Sequence, residues 1–265
     1  MRLDHRLDHR LLRLSLAFCG ASLLVGCDAD QSSLLYVFST HHATPENGGF
    51  PKRGEDDQPR VFDNDLGWTI TLVESYVTIE QVTLISCSGS ALPLNMFWGP
   101  CPEDLRDEDL QTLTVAGRKL DPGDYCELVV DYGQYRMPEI EPGADDTRHE
   151  VPENEAVDGT TVYLRGAAQM GEDGELIEFE FRGSGSQSVA LDLTTVDDGH
   201  ALRVSETEAF PEELTISKTY DRFFDGIDFA DYDPDDAEDE LDDILEDQTQ
   251  VQKGQQVFIA DDGDG

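Results

Sequence analysis

The sequence predicts an all-β chain: an antiparallel β-sandwich with one short C-terminal helix. Three observations predict it. Short runs rich in β-branched and aromatic residues alternate with period two, as in Thr69-Ile70-Thr71-Leu72 and Phe179-Glu180-Phe181. Clusters of Gly, Pro, Asp and Ser separate these runs. A clear helical period appears only after residue 233.

In chain order, the first segment is a leader. Met1–Arg13 carries Arg2, Arg6, Arg10 and Arg13, followed by an apolar run over residues 14–25. That run is shorter than the ~20 residues a membrane-spanning helix needs. It matches the apolar core of a signal peptide, roughly 7–15 residues. No Ala-x-Ala-like cleavage site closes it. It ends Leu24-Val25-Gly26-Cys27, which resembles the lipobox of bacterial lipoproteins. The resemblance implies that residues 1–26 are removed, that the Cys27 thiol takes a diacylglycerol and that its new amine is acylated. The chain would then sit in the cell envelope, exported and held to a membrane by palmitate-type chains. Each buried CH₂ contributes ~0.8 kcal/mol to such an anchor. Residues 27–33 are the acylated cysteine and a short tether.

The folded domain is expected over residues 34–232, with a first strand at Leu34–Phe38. Residues 39–60 contain Pro45, Gly48-Gly49, Pro51 and Pro59 and read as a long loop. Strands follow at 67–72 and 76–85, the second broken by Glu80-Gln81 as by a bulge. Leu92–Trp98 is a short apolar strand or loop, stopped by Gly99-Pro100-Cys101-Pro102. Strands at 113–116 and 118–120 precede the turn Asp121-Pro122-Gly123-Asp124, where Pro presets φ and Gly accepts a positive one. A strong strand runs over 125–132, a Pro- and acid-rich loop over 138–159, and strands over 161–168, 176–181, 188–193, 201–204 and 213–220. The total is about eight to ten strands. Residues 233–260 hold the helix and a last strand near 255–259. Asp233 caps the helix, Pro234 opens it, and Ala237, Leu241, Ile244 and Leu245 form its apolar stripe. Residues 261–265 are an acidic frayed end.

Charge excludes one class of partner. The 265-residue chain carries a formal −40. Removing residues 1–26, with four Arg and two Asp, takes it to −42. The lysines are Lys52, Lys119, Lys218 and Lys253. Nucleic acid needs a basic surface and is no partner of this chain. The charge reads as a hydrated surface, as adaptation to a salty medium, or as cation binding.

Several residues could carry chemistry. Cys87, Cys101 and Cys126 follow the anchor, so at most one intramolecular disulfide forms. Cys87 with Cys126 is the candidate, and Cys101 is the rival partner for either. His41-His42 in the predicted loop can ligate copper or zinc, with Cys101, Met96, Met137 or His149 as further donors. Asp225, Asp228, Asp231, Asp233, Asp235 and Asp236 are candidate calcium carboxylates. Asp231-x-Asp233-x-Asp235 has the spacing that opens an EF-hand loop, but Asp236 stands where Gly belongs and Asp242 where Glu belongs. Trp68 and Trp98 read as packing residues.

The stretch Thr161–Phe229 runs strand-Gly-strand, Phe-x-Phe, Val-Ala-Leu-Asp-Leu and closes with Phe223-Phe224-Asp225-Gly226-Ile227-Asp228-Phe229. It resembles the back half of exported bacterial β-sandwich lipoproteins, including copper-associated ones found beside di-haem peroxidases. The resemblance implies architecture only. The expected function is non-enzymatic: a lipoprotein presenting a binding or scaffolding domain at a membrane, with an envelope protein as partner and no cofactor. The alternative is metal handling, of copper through His41-His42 or of calcium through the C-terminal carboxylates. An extracytoplasmic hydrolase comes third, with no catalytic residue singled out.

Overall fold

The structure is a computed structural model and describes residues 33–137, 152, 154–205, 211–232 and 244–257. The leader, Cys27, the tether up to residue 32, His149, the carboxylates from Asp233 to Asp242 and the end 261–265 lie outside these residues. Fourteen strands occur among them: β1 (Ser33–His42), β2 (Arg60–Asp63), β3 (Trp68–Ser86), β4 (Ala91–Pro93), β5 (Asn95–Met96), β6 (Cys101–Asp104), β7 (Leu113–Leu120), β8 (Gly123–Tyr132), β9 (Val162–Met170), β10 (Leu176–Gly183), β11 (Gln187–Asp192), β12 (Leu202–Val204), β13 (Glu212–Thr219) and β14 (Thr249–Lys253).

They form two sheets, as an all-β sandwich requires. One has five strands in the order β14-β13-β1-β7-β5. The other has nine, with the path β10-β9-β3-β8-β11, while β2, β4 and β6 pair with β3 and β12 pairs with β8. Alternation builds the interior. Leu35, Val37, Leu214 and Ile216 face inward from the smaller sheet, and Ile70, Leu72, Val82, Leu84, Leu128 and Val130 from the larger. All ten have no exposed surface. Burial of each such side chain contributes about 1.5–3 kcal/mol.

β3 is the spine of the larger sheet. The two strands expected at 67–72 and 76–85 are one, because register shifts at Leu72/Glu74 and Ile79/Gln81 let it bend without breaking. The second shift falls at the expected Glu80-Gln81 bulge. The strand count exceeds eight to ten because β4, β5, β6 and β12 are two to four residues long, too short to show a period. Cys101-Pro102, expected to stop a strand, lies within β6. Pro102 pairs opposite Thr78, and Pro is tolerated on such short edge segments.

Other expectations are corrected. β1 does not end at Phe38 but runs to His42, so the loop begins at residue 43. β1 pairs with β7 in the antiparallel sense but with β13 in parallel, so the smaller sheet is mixed. The last described strand is β14 at Thr249–Lys253, where Thr, Gln and Lys hide a strand paired with β13. Residues 244–248 are helical, and Ile244 and Leu245 pack on the core as the stripe predicts.

Cys87 and Cys126 form a disulfide, with Cα atoms 4.8 Å apart and 39 residues of separation. It ties the end of β3 to the start of β8. Among the described residues Cys101 is the free thiol, buried in the core.

Candidate functional site

Polar chemistry concentrates inside the sandwich, where β1, β13 and β6 meet. The parity that turns Leu35 and Val37 inward does the same for Ser39 and His41. On β13, Leu214 and Ile216 point inward and Lys218 follows, in register with His41. From the facing sheet, β6 contributes Glu103. Ser39, His41 and Lys218 are at most 1% exposed, and Glu103 is buried too.

These four side chains close on one another. Glu103 Oε1 accepts from His41 Nδ1 at 2.9 Å. Glu103 Oε2 accepts from Lys218 Nζ at 2.8 Å and from Ser39 Oγ at 2.5 Å. Lys218 Nζ also donates to Ser39 Oγ at 2.6 Å. Burial alone would push the Glu103 carboxyl up. The Lys218 charge and the His41 hydrogen bond overcome that and hold it at about 2. Glu103 is therefore ionised and can only accept. His41 Nε2 faces the Asp107 carbonyl at 3.1 Å, also only an acceptor.

A second layer frames this one. Arg60, 1% exposed, points inward from β2 and donates to the carbonyls of Leu105, Glu55, Arg106 and Asp107. It thereby fixes the 105–111 segment against β1, where Leu110 N donates to the His41 carbonyl at 2.9 Å. That segment places Asp109 Oδ1 at 3.7 Å from Arg60 and 3.9 Å from His41 Nε2. Tyr220 Oη donates to Asp109 Oδ2 at 3.3 Å. Burial raises the Asp109 carboxyl, against the pull of Arg60 and His41. Cys101, two residues before Glu103, has its thiol pushed up to about 12 by burial, with Glu103 adding and Lys218 opposing. A thiol this protonated is a poor nucleophile.

Ser39, a lysine and a carboxylate are the ingredients of an activated nucleophile. Here Lys218 Nζ donates to Ser39 Oγ, the serine hydroxyl donates in turn to Glu103, and Ser39 has no exposed surface. The arrangement joins the two sheets through an ion pair and hydrogen bonds.

His41 and His42 point to opposite faces of β1, not into a loop together. His42 Nδ1 bonds the Ala43 carbonyl at 2.9 Å, and its ring lies 4.7 Å from that of Phe50. Burial pushes its pKa below the usual 6.5. Met96 packs on the main core, whereas Met137 packs on a separate cluster of Tyr135, Val157 and Tyr163. Among the described residues no group of three or more His, Cys, Asp or Glu side chains is arranged to hold a metal ion. Of the proposed calcium carboxylates, Asp225 pairs with Arg222 at 2.8 Å. Trp68 is a core residue, and Trp98 is half-buried, donating to the Thr114 carbonyl.

Glu103, Lys218, Arg60 and Asp109 were not anticipated from sequence. One signal was present: Lys218 is one of four lysines, and it continues the inward parity of Leu214 and Ile216.

No family model matches the chain. No curated protein matches it. Among solved structures it is similar to MbnP from Methylosinus trichosporium, with 9% identity, a TM-score of 0.39, and coverage of 84% of this chain and 99% of that one.

Proposed function

We propose that the chain is an exported lipoprotein, acylated on Cys27, whose β-sandwich is a non-enzymatic binding or scaffolding module at a membrane of the cell envelope, with an envelope protein as its partner. One observation carries the reading. Ser39, His41, Glu103 and Lys218 are spent on each other inside the core, which leaves the outer surface as the part that meets a partner. The β-architecture and the Cys87–Cys126 staple suit a rigid domain outside the cytoplasm.

The test has two arms. In cells given labelled palmitate, the full chain should take up label and fractionate with membranes, and Cys27→Ser should lose both. Retention of label by Cys27→Ser overturns the anchor. The second arm is native mass spectrometry of the soluble domain, before and after chelation. A mass matching protein with one disulfide supports a module without a resident metal. Stoichiometric copper or calcium lost on chelation replaces this reading with metal handling.

A further inference from the structure

β10 ends the path of the nine-stranded sheet and is the longest strand at an end of either sheet. It pairs with β9 from Leu176, opposite Gln169, to Gly183, opposite Val162, without a register shift. Among the described residues no strand pairs with its other edge. A row of backbone N–H and C=O groups there is open to a guest strand. Sheets commonly close such an edge with Pro, a bulge or a very short strand, and β10 has none of these.

The side chains of β10 state what would fit beside it. Alternation puts Phe179 and Phe181 in the core and leaves Leu176, Glu178 and Glu180 exposed on the outer face. Leu176 is 59% exposed. Ile177, on the inward side, is only half-buried. The nearby cations are engaged. Arg165, opposite Glu180, is held by Glu74 at 2.6 Å, and Arg182 donates to the Ala156 carbonyl at 2.7 Å. Glu178 lies opposite Ala167 and makes no ion pair among the described residues. Exposed Glu172, Asp173 and Glu175 precede the strand, so the stretch from Glu172 to Glu180 holds five acids and no base.

Resting on the binding-module reading above, we infer that the open edge of β10 takes an extended segment of a basic partner protein as an added strand. Its Lys or Arg side chains, at alternate positions, face Glu178 and Glu180. The apolar side chains between them turn inward beside Ile177. Main-chain hydrogen bonds supply the affinity of such a strand, and the side chains on its two faces supply the choice. Charge names the occupant. A second copy of the chain would bring the same acids to the edge of a molecule of formal charge −40 and is repelled. A cationic strand is attracted, and its charges meet the acids one for one across the new pairing.

The experiment uses the full-length protein in neutral detergent and a short synthetic peptide that alternates lysine with valine. Fluorescence anisotropy reads its affinity, and hydrogen exchange reads which amides it protects. The expected result is slowed exchange along β10. Glu178→Lys with Glu180→Lys should weaken binding about tenfold. Glu127→Lys with Asp192→Lys, a cross-strand pair at the other end of the sheet, should change it less than about twofold. A thermal melt checks that each variant folds as the parent does. The same peptide N-methylated at alternate residues keeps its charge, loses main-chain donors and should leave exchange in β10 unchanged. Equal weakening by the two variant pairs, equal binding of the methylated peptide, or no binding by the parent overturns the added strand. Protection at another strand overturns this edge and leaves the module reading standing. That reading fails separately, by a stoichiometric metal in the native mass spectrum.

Discussion

Two parts of one interior hold together by different physics. Around Phe62, Phe179, Phe181, Phe224 and Phe229, ring centroids lie 5.1 to 6.2 Å apart, tilted in every pair but the stacked Phe224 and Phe229, with Trp68 and Tyr232 at the margin. Around Glu103, the same two sheets meet through charged hydrogen bonds. Tyr220 belongs to both: it packs edge-on to Phe62 at 5.9 Å and to His41 at 5.8 Å, and it donates to Asp109. The aromatic part is non-directional and adapts its packing. The ionic part works only when β1, β6 and β13 stand in one register. The comparison teaches that burial supplies most of the stability, while the ions specify how the sheets face each other.

The largest effect should come from breaking the ionic part halfway. Glu103→Leu leaves Lys218 and His41 buried without their anion and should cost about 3–5 kcal/mol in chemical denaturation. Replacing the whole set, with Ser39→Ala, His41→Leu, Glu103→Leu and Lys218→Met, should recover that loss and leave stability near the parent's. A quadruple variant as unstable as Glu103→Leu would break the comparison, because the ions would then be a net source of stability. Next in size, Cys87→Ser opens the staple and should cost about 2–4 kcal/mol, with the same denaturation midpoint shift expected from reducing the parent. Smaller again is Phe224→Leu, a change of shape among rings that can repack, expected below about 1.5 kcal/mol. A loss as large as that of Glu103→Leu would show the aromatic part to be the more exacting one.

Acid acts on the interior in two steps. His42 is held below its usual 6.5 by burial, so its contribution is present above pH 6.5 and lost as pH falls below that value. Glu103 is held at about 2 against a usual 4.5. Its contribution is present above pH 4.5 and lost as pH falls toward 2. Melting temperatures followed from pH 7 downward should fall in these two steps. His42→Gln should remove the upper step and keep the lower one.

Much of the fold was legible because strands with one wet face write their parity into the sequence. Phe179-Glu180-Phe181 became β10, with both rings in the core. The disulfide was legible as a candidate from strand ends, since Cys87 follows one strong strand and Cys126 lies near the start of another, at one end of the β3–β8 pairing. The ionic site was less so. Ser39, His41 and Lys218 look like surface residues to any hydropathy rule, and only Glu103 from a distant strand turns them into core. Likewise the run from Ser39 to His42 reads as the start of a loop, because polar residues that face inward are indistinguishable by composition from those that face water. The phrase Phe223–Phe229 was visible as a pattern but not as a device. Gly226 takes φ +82° and donates to Asp65, while Asn64 binds the carbonyls of Phe224 and Ile227, so the phrase plugs its rings against the β2–β3 turn.

The parallel pairing of β1 with β13 has a consequence in time. Leu35 pairs with Glu212 and His42 with Thr219, so the first described strand finds one of its two neighbours only when nearly the whole chain is present. A fold closed by so distant a partner has high contact order, and refolding on the millisecond-to-second scale is expected. A chain delivered N-terminus first would therefore stay open along β1 throughout its passage, and the sandwich would shut, with Lys218 sliding in beside Glu103, as one of the last events of its synthesis.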